Sequence, residues 1–327
     1  MSGVEIVEYH PELQEQWVNF VWHSRNGTIF HTQRFIGYHP PSRFEDCSLL
    51  FKKRNKILAV LPAAIGTRDN DRIFQSHPGS SYGGPVLAFE TGLKLVMEIL
   101  EALIDFLRSR EVHSIEMRLP PRIYQCYPSE DLDFSLTYLG FKITSTELST
   151  AICLNREEKE WWNMFRDDTA RSIRKTLKSR ALTVMEDNDW EKYWQILEHV
   201  LKERHSVSPT HSLEEIVRIR NRFPDRIKLV TGYVNGDLAA GIVFFVCNDK
   251  ALHTFYFAQE YRYQKERVLN LILYKIMKWG QEHGASYLNL GISTEDSGNS
   301  INWGLFRFKE GFGARGVVRR YYVLRLD

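Results

Sequence analysis

Cysteine is scarce and scattered in this sequence. Cys47, Cys126, Cys153 and Cys247 stand far apart, with no Cys-x-x-Cys and no ladder of histidines. That spacing excludes the familiar zinc and iron–sulfur motifs, and in a chain of 327 residues it makes no disulfide scaffold. No metal is expected. An excess of one charge is missing too. The 43 Lys and Arg face 41 Asp and Glu, a net charge of +2. No global field therefore draws the protein to DNA or to a membrane surface, and an anionic partner must be met by a local patch. Long hydrophobic runs are absent. The longest, such as LAAGIVFFVC, reach about ten residues, about half of what spans a bilayer. The opening MSGVEIVEYHPELQEQW is acidic and lacks the apolar segment of a secretory signal. A cytoplasmic protein with no transmembrane segment is the expectation. No P-loop, Ser-His-Asp arrangement, cysteine-nucleophile signature or paired-carboxylate motif stands out either. Their absence fits direct group transfer, which needs positioning, proton removal and oxyanion stabilisation but no covalent enzyme intermediate.

What is present says the same thing twice. The length exceeds what one hydrophobic core usually serves, so two domains are expected. The first half runs from a helix near Glu12–His23 to a hairpin, SLLFKKRNKILAVLPAAIG, then a loop, QSHPGSSYGGPVL. A long amphipathic helix follows, GLKLVMEILEALIDFLRSR, with Leu95, Ile99, Ala102, Leu103 and Phe106 at helical spacing. The strand VHSIEMRL, a helix ending in TYLGF and the strand KITSTELSTAIC complete that half. The second half repeats the order. A hairpin turning at Asn235-Gly236 leads to the strand ALHTFYFA and the long helix KERVLNLILYKIMKWGQEHG. Then come the strand SYLNLG, the helix WGLFRFKEGF and the strand VVRRYYVLRL. The stretch between the halves, from Leu154 to Asp225, reads as mostly helical. Asp167 and Asp168 favour a helix N-terminus there, and Ser212 with Glu215 spells a capping box.

This order of elements, with the Gly-Phe endings TYLGF and FKEGFG, resembles the GNAT acyltransferase fold. Two such units in tandem resemble the FemABX group, which transfers aminoacyl groups from tRNA to peptidoglycan precursors, and related proteins that act on cell-surface glycans. TARSIRKTLKSR, LKERHSVSPTHSLEEI and GLFRFKEGFGA carry the likeness. The resemblance implies an α/β protein of two GNAT-like units, each a mixed, mostly antiparallel sheet flanked by helices. Residues 1–154 would form the first unit, with 316–327 a candidate to complete it, and 155–315 the second, with a helical insertion. The implied activity is transfer of an acyl or aminoacyl group to an amine or hydroxyl of an envelope precursor, a peptidoglycan peptide, surface glycan or lipid-linked intermediate. No cofactor would be tightly bound. The donor would be aminoacyl-tRNA or acyl-CoA. The sequence departs from the group twice. QEYRYQKERVLN has no glycine where single-domain GNAT enzymes cradle coenzyme A, and HTQRFIGYHPPSRF offers His39 or Arg43 in place of a phosphate-binding lysine. An acyl-CoA-dependent enzyme with an atypical cofactor site, and a non-catalytic protein that binds a nucleotide sugar, are the alternatives.

The candidate site residues follow. Lys309 sits on an aromatic helix whose Trp303, Phe306 and either Phe308 or Leu305 can face a core, leaving the lysine at one edge, where its stem would snorkel. The matching lysine in FemABX-like enzymes stabilises the oxyanion formed when an amine attacks the acyl carbon, and this assigns Lys309 as catalytic. Asn302, which opens the same stretch, is a substrate-binding candidate. Arg204 is placed by the resemblance near an acceptor phosphate; its position at a helix end also suits the helix dipole. His205 and His211 titrate in the range of a general base, as they would also in a structural place. Arg171, Arg174 and Lys175 share a helix face that is either solvated or a phosphate track for tRNA or a nucleotide. Tyr82 and Gly83, in SHPGSSYGGP, are candidate acceptor contacts in a loop whose glycines also suit a tight turn. Tyr256 would line a cleft in the second unit or pack in its core.

Overall fold

The computed structural model describes residues 3–326, Arg204 and His205 by their backbone alone. The chain divides into two compact units. The first holds the described residues up to Glu147, together with Asp296–Gly298 and the residues from Val318 on; the second holds Leu148–Glu295 and Asn299–Val317.

In the first unit, apolar–polar alternation and two turn pairs give two tight hairpins. Leu49–Lys53 pairs with Lys56–Leu61, and Ala64–Arg68 with Asp71–Ser76. Arg54-Asn55 and Asp69-Asn70 make the turns, all four residues at positive φ between 49° and 71°. Neither turn has the glycine that marks the strongest hairpin signal, and only the first hairpin was legible in the sequence. Asp71–Ser76 then pairs in parallel with Ser114–Arg118, and the helix Leu93–Arg108 crosses between them. That helix buries Val96, Ile99, Leu100, Leu103, Ile104 and Leu107. Each such side chain contributes about 1.5–3 kcal/mol on removal from water. Leu95 and Phe106 flank this stripe, partly buried. The helix Asp131–Tyr138 ends at Gly140, at φ 92°, before the strand Lys142–Cys153. The other side of Ser114–Arg118 is occupied by the end of the chain's last strand, Arg315–Arg325, antiparallel from Tyr321 to Arg325.

The second unit repeats this scheme. Ile227–Val234 and Asp237–Val246 form a hairpin through Asn235-Gly236, at φ 51° and 92°. Ala251–Gln259 adds antiparallel to Asp237–Val246 and parallel to Tyr287–Ile292, with the helix Val268–Glu282 crossing between the parallel strands. The end of Lys142–Cys153 closes on Tyr287–Ile292 from the far side. Four helices, Glu158–Met164, Asp167–Lys178, Trp190–His205 and Leu213–Arg222, come from the middle of the chain. The last is capped by the Ser212–Glu215 box, with bonds of 2.9 and 3.1 Å. The middle is not wholly helical, however. Leu182–Asp187 is a strand, antiparallel to Ile227–Val234. Its short alternation among charged residues has little weight alone, and a partner strand over forty residues later completes it. Each unit thus has one helix-linked parallel pair among mostly antiparallel strands, the α/β architecture expected, though the hairpin Leu49–Leu61 of the first unit lies in a sheet separate from that of Ala64–Ser76 and Ser114–Arg118. No helix among the described residues is long and apolar enough to cross a membrane.

Candidate functional site

The parallel pairing in the second unit is short. It joins Ala251 to Tyr287, Leu252 to Leu288 and His253 to Asn289, and then stops. Ala251–Gln259 continues along Asp237–Val246 with a bulge at Phe255, so that Val243 faces Tyr256 and Phe244 faces Thr254. Tyr287–Ile292 turns instead toward Leu148–Cys153, its pairing passing from Asn289–Ala151 directly to Ile292–Ser149. Parallel strands that part in this way open a cleft in the sheet and release backbone groups from the ladder along its edges.

Lys309 reaches one of those edges. Its helix, Trp303–Glu310, is capped by Asn302, whose Oδ1 accepts the Leu305 N–H at 3.0 Å while its Nδ2 donates to Glu295 at 2.9 Å. The expected orientation of this helix holds for Phe308, which packs against the core, but not for Trp303, Leu305 or the lysine. Trp303 is 70% and Leu305 39% exposed, whereas Lys309 is 3% exposed, so the lysine does not snorkel. The reason is a pair of acceptors. Nζ donates to the carbonyls of Gly291 at 2.9 Å and Ile292 at 2.7 Å, both at the end of the parted strand. Gly291, at φ 75°, turns the chain there. Burial lowers the Lys309 pKa to about 7, because desolvation disfavours the ammonium.

On the opposite edge, three residues past the end of the ladder, stands Tyr256. The bulge turns it toward the helix Trp190–His205, where its ring meets Trp194 at 5.1 Å between centroids. Its hydroxyl accepts the His211 N–H at 3.1 Å and bonds His211 Nδ1 at 2.7 Å. Burial raises the phenol to about 12, which keeps it protonated. The one hydroxyl meets both the backbone and the ring of His211, the direction of the ring contact following from the imidazole tautomer. His211 and Tyr256 thus form a buried pair rather than two separate groups.

The remaining candidates fall elsewhere. Arg171, Arg174 and Lys175 lie on the exposed face of Asp167–Lys178, opposite the buried Thr169, Ala170, Ile173 and Thr176. Arg171 Nε donates to the Asp167 carbonyl at 3.3 Å, and the Arg174 guanidinium lies 5.0 Å from the Trp162 ring centre. Arg204 and His205 end the helix Trp190–His205, and their side chains lie outside the described residues. Tyr82 and Gly83 belong to the first unit and are buried there. The Tyr82 ring meets Phe30 and Tyr124, each at 5.3 Å. Gly83 donates to the Arg118 carbonyl at 2.8 Å, and a Cβ on it would stand 2.1 Å from the Ser76 carbonyl oxygen. The loop needs that glycine for close backbone packing. Three residues of the site had no signal in the sequence: Ser149, Asn289 and Gly291. A buried asparagine in SYLNLG reads as an ordinary strand position until the parting of the strands is known.

Residues 163–309, which include the parted strands and Lys309, match the family model described as acetyltransferase (GNAT) domain. No curated protein matches the chain. Among solved structures, the crystal structure of FemX is similar over 98% of this chain and 97% of its own, with a TM-score of 0.75 at 12% identity. L-PGS from Bacillus licheniformis is similar over 97% of this chain and 92% of its own, with a TM-score of 0.56 at 13% identity. A tandem GNAT protein from the clavulanic acid biosynthesis pathway is similar over 99% of both chains, with a TM-score of 0.53 at 10% identity. At such identities the likeness is one of fold. Residues 163–309 thus match a GNAT acetyltransferase domain, and the chain as a whole has the FemABX-like fold of two tandem GNAT units.

Proposed function

We propose that the protein is an acyltransferase that moves an acyl or aminoacyl group from an activated ester or thioester onto an amine, or less readily a hydroxyl, of a cell-envelope precursor. One observation carries this reading: a buried lysine held by two carbonyls at the edge of the cleft between parted parallel strands. In the reaction the amine lone pair attacks the acyl carbon, a C–N bond forms, and the carbonyl oxygen becomes an oxyanion. Collapse breaks the C–O or C–S bond, the leaving group takes the electron pair, and the surplus amine proton leaves for it or for solvent. Two N–H groups of the Lys309 ammonium are engaged by carbonyls, which leaves the third for the oxyanion. The pKa near 7 suits this differential role. A developing negative charge raises it, so the cation is strongest when the transition state forms.

The donor we favour is aminoacyl-tRNA. The segment before Val268–Glu282 is a tight turn, Tyr261–Glu266, followed by Arg267 at φ 56°, with exposed side chains and no glycine, which supports a donor other than acyl-CoA. The likeness in fold to FemX and L-PGS supports an envelope acceptor. The test is transfer by the purified protein from aminoacyl-tRNA or acyl-CoA to amine-bearing muropeptide and lipid acceptors. Lys309→Met is expected to lower kcat/KM at least about hundredfold, the usual loss for an oxyanion donor. Activity within a few-fold of wild type would remove Lys309 from the mechanism. Turnover with acyl-CoA alone would favour the atypical GNAT N-acyltransferase.

A further inference from the structure

Asn289 is fully buried between Leu288 and Leu290, which belong to the apolar core of the second unit. A buried amide costs free energy unless it is hydrogen-bonded, so its partners account for its presence there. Its Oδ1 accepts two bonds, from the hydroxyl of the buried Ser149 at 2.6 Å and from the Gly291 N–H at 2.9 Å. A side-chain oxygen that takes the N–H two residues on closes a local turn in competition with the β-ladder. The ladder responds. Between the pairs Asn289–Ala151 and Ile292–Ser149 the strand holds one residue more than its partner, and Gly291 takes up the excess at φ 75°. The carbonyls of Gly291 and Ile292 turn to Lys309 Nζ, at 2.9 and 2.7 Å.

We infer that Asn289, braced by Ser149, is a positioning residue that aims Lys309 by holding the Gly291 turn open. The inference deepens the reading above, since the direction left to the third N–H of Lys309 is set by the other two. Burial, and no neighbouring charge, is the cause of the lowered Lys309 pKa. Asp168 is paired with Arg166 at 2.8 Å and Glu295 with Asn302 at 2.9 Å. Glu310, the chain neighbour of Lys309, is half-buried on the same helix. The titratable ring against the turn is His253, whose Cε1 stands 3.8 Å from where a Cβ on Gly291 would lie.

The experiment compares Asn289→Ala, Asn289→Asp and Ser149→Ala with the wild-type full chain, each checked for folding by circular dichroism. Its first readout is independent of activity: the titration of the Lys309 15Nζ resonance, assigned by its absence from Lys309→Met. Alanine frees the turn, loosens the carbonyl grip on the ammonium and is expected to lower the midpoint by about half a pH unit or more. Ser149→Ala is expected to act in the same direction, more weakly. Aspartate keeps both acceptor contacts and adds a negative charge, so it is expected to raise the midpoint. Opposite shifts from two substitutions of one buried side chain are not what a general loss of packing produces. In turnover, Asn289→Ala is expected to lower kcat about tenfold with KM nearly unchanged, and to add little in the Lys309→Met background. A Lys309 midpoint that is the same in wild type and in both Asn289 variants overturns the inference. Midpoints that shift as expected with no effect on turnover would uphold the positioning of Lys309 while sinking its role in transfer.

Discussion

Lys309 carries a cost that is itself measurable. Below pH 7 the ammonium is present in both folded and unfolded chains, and the folded chain bears its desolvation, partly offset by the two carbonyls. Between about pH 7 and the ordinary lysine value of 10.5, the unfolded chain keeps a proton that the folded chain has released. The unfolded state then binds more protons, so stability rises with pH across that window. Lys309→Met fills the same space without charge. It is expected to be more stable than wild type at pH 6 by about 2–4 kcal/mol and to lack the rise between pH 7 and 10. Urea unfolding at pH 6, 8 and 10 checks both points, and a less stable Met variant at pH 6 would show that the carbonyls outweigh the burial. A residue that lowers stability at neutral pH is hard to explain by packing alone, which is the energetic side of the assignment made from geometry.

Turns and strands show where local chemistry suffices and where it does not. Asn235-Gly236 was readable because the turn needs two positive φ values that few residues accept. Gly83 was readable as a site of close approach, though not for which group approaches it. The answer is the chain's own backbone, with a Cβ 2.1 Å from the Ser76 oxygen and 2.5 Å from the His77 nitrogen. Backbone atoms cannot give way as a side-chain end can. Gly83→Ala is accordingly expected to destabilise the first unit by about 3 kcal/mol. Gly92→Ala, with nothing within 4 Å, is the control and is expected to cost less than about 1 kcal/mol. Equal melting temperatures for the two variants would refute this account of the loop. The strand Leu182–Asp187 and the bulge at Phe255 are the opposite case, since each exists only against a partner distant in the chain.

At the scale of the whole chain, the last strand has a consequence for folding. From Val318 on it belongs to the first unit, where the buried Tyr322 joins the core and its hydroxyl donates to Asp133 at 2.8 Å. The first unit is therefore incomplete without the residues from Val318 on. A chain ending at Val317 is expected to lose amide protection in Ser114–Arg118 and the rest of the first unit, while Asp237–Val246 and Ala251–Gln259 of the second keep theirs. Hydrogen exchange with mass spectrometry separates the two, and retained protection of Ser114–Arg118 would contradict the strand's contribution to that unit.

Much of this architecture was determined by sequence alone. Hydrophobic period sets the helices, turn residues set most of the hairpins, and a repeated order of elements ending in Gly-Phe identifies two units of one kind. All of these depend on neighbours a few positions apart, so they survive without knowledge of the fold. The lysine at the end of the second copy was equally visible, since the first copy has Tyr138 and Leu139 before its Gly-Phe. Tertiary structure alone decided which way that lysine points. Its burial depends on two carbonyls 17 and 18 residues away, freed by a turn that Asn289 holds and Ser149 braces from a strand 140 residues earlier. Backbone carbonyls look alike in every sequence. Only the parting of two strands makes these two available, and no local pattern of residues encodes that.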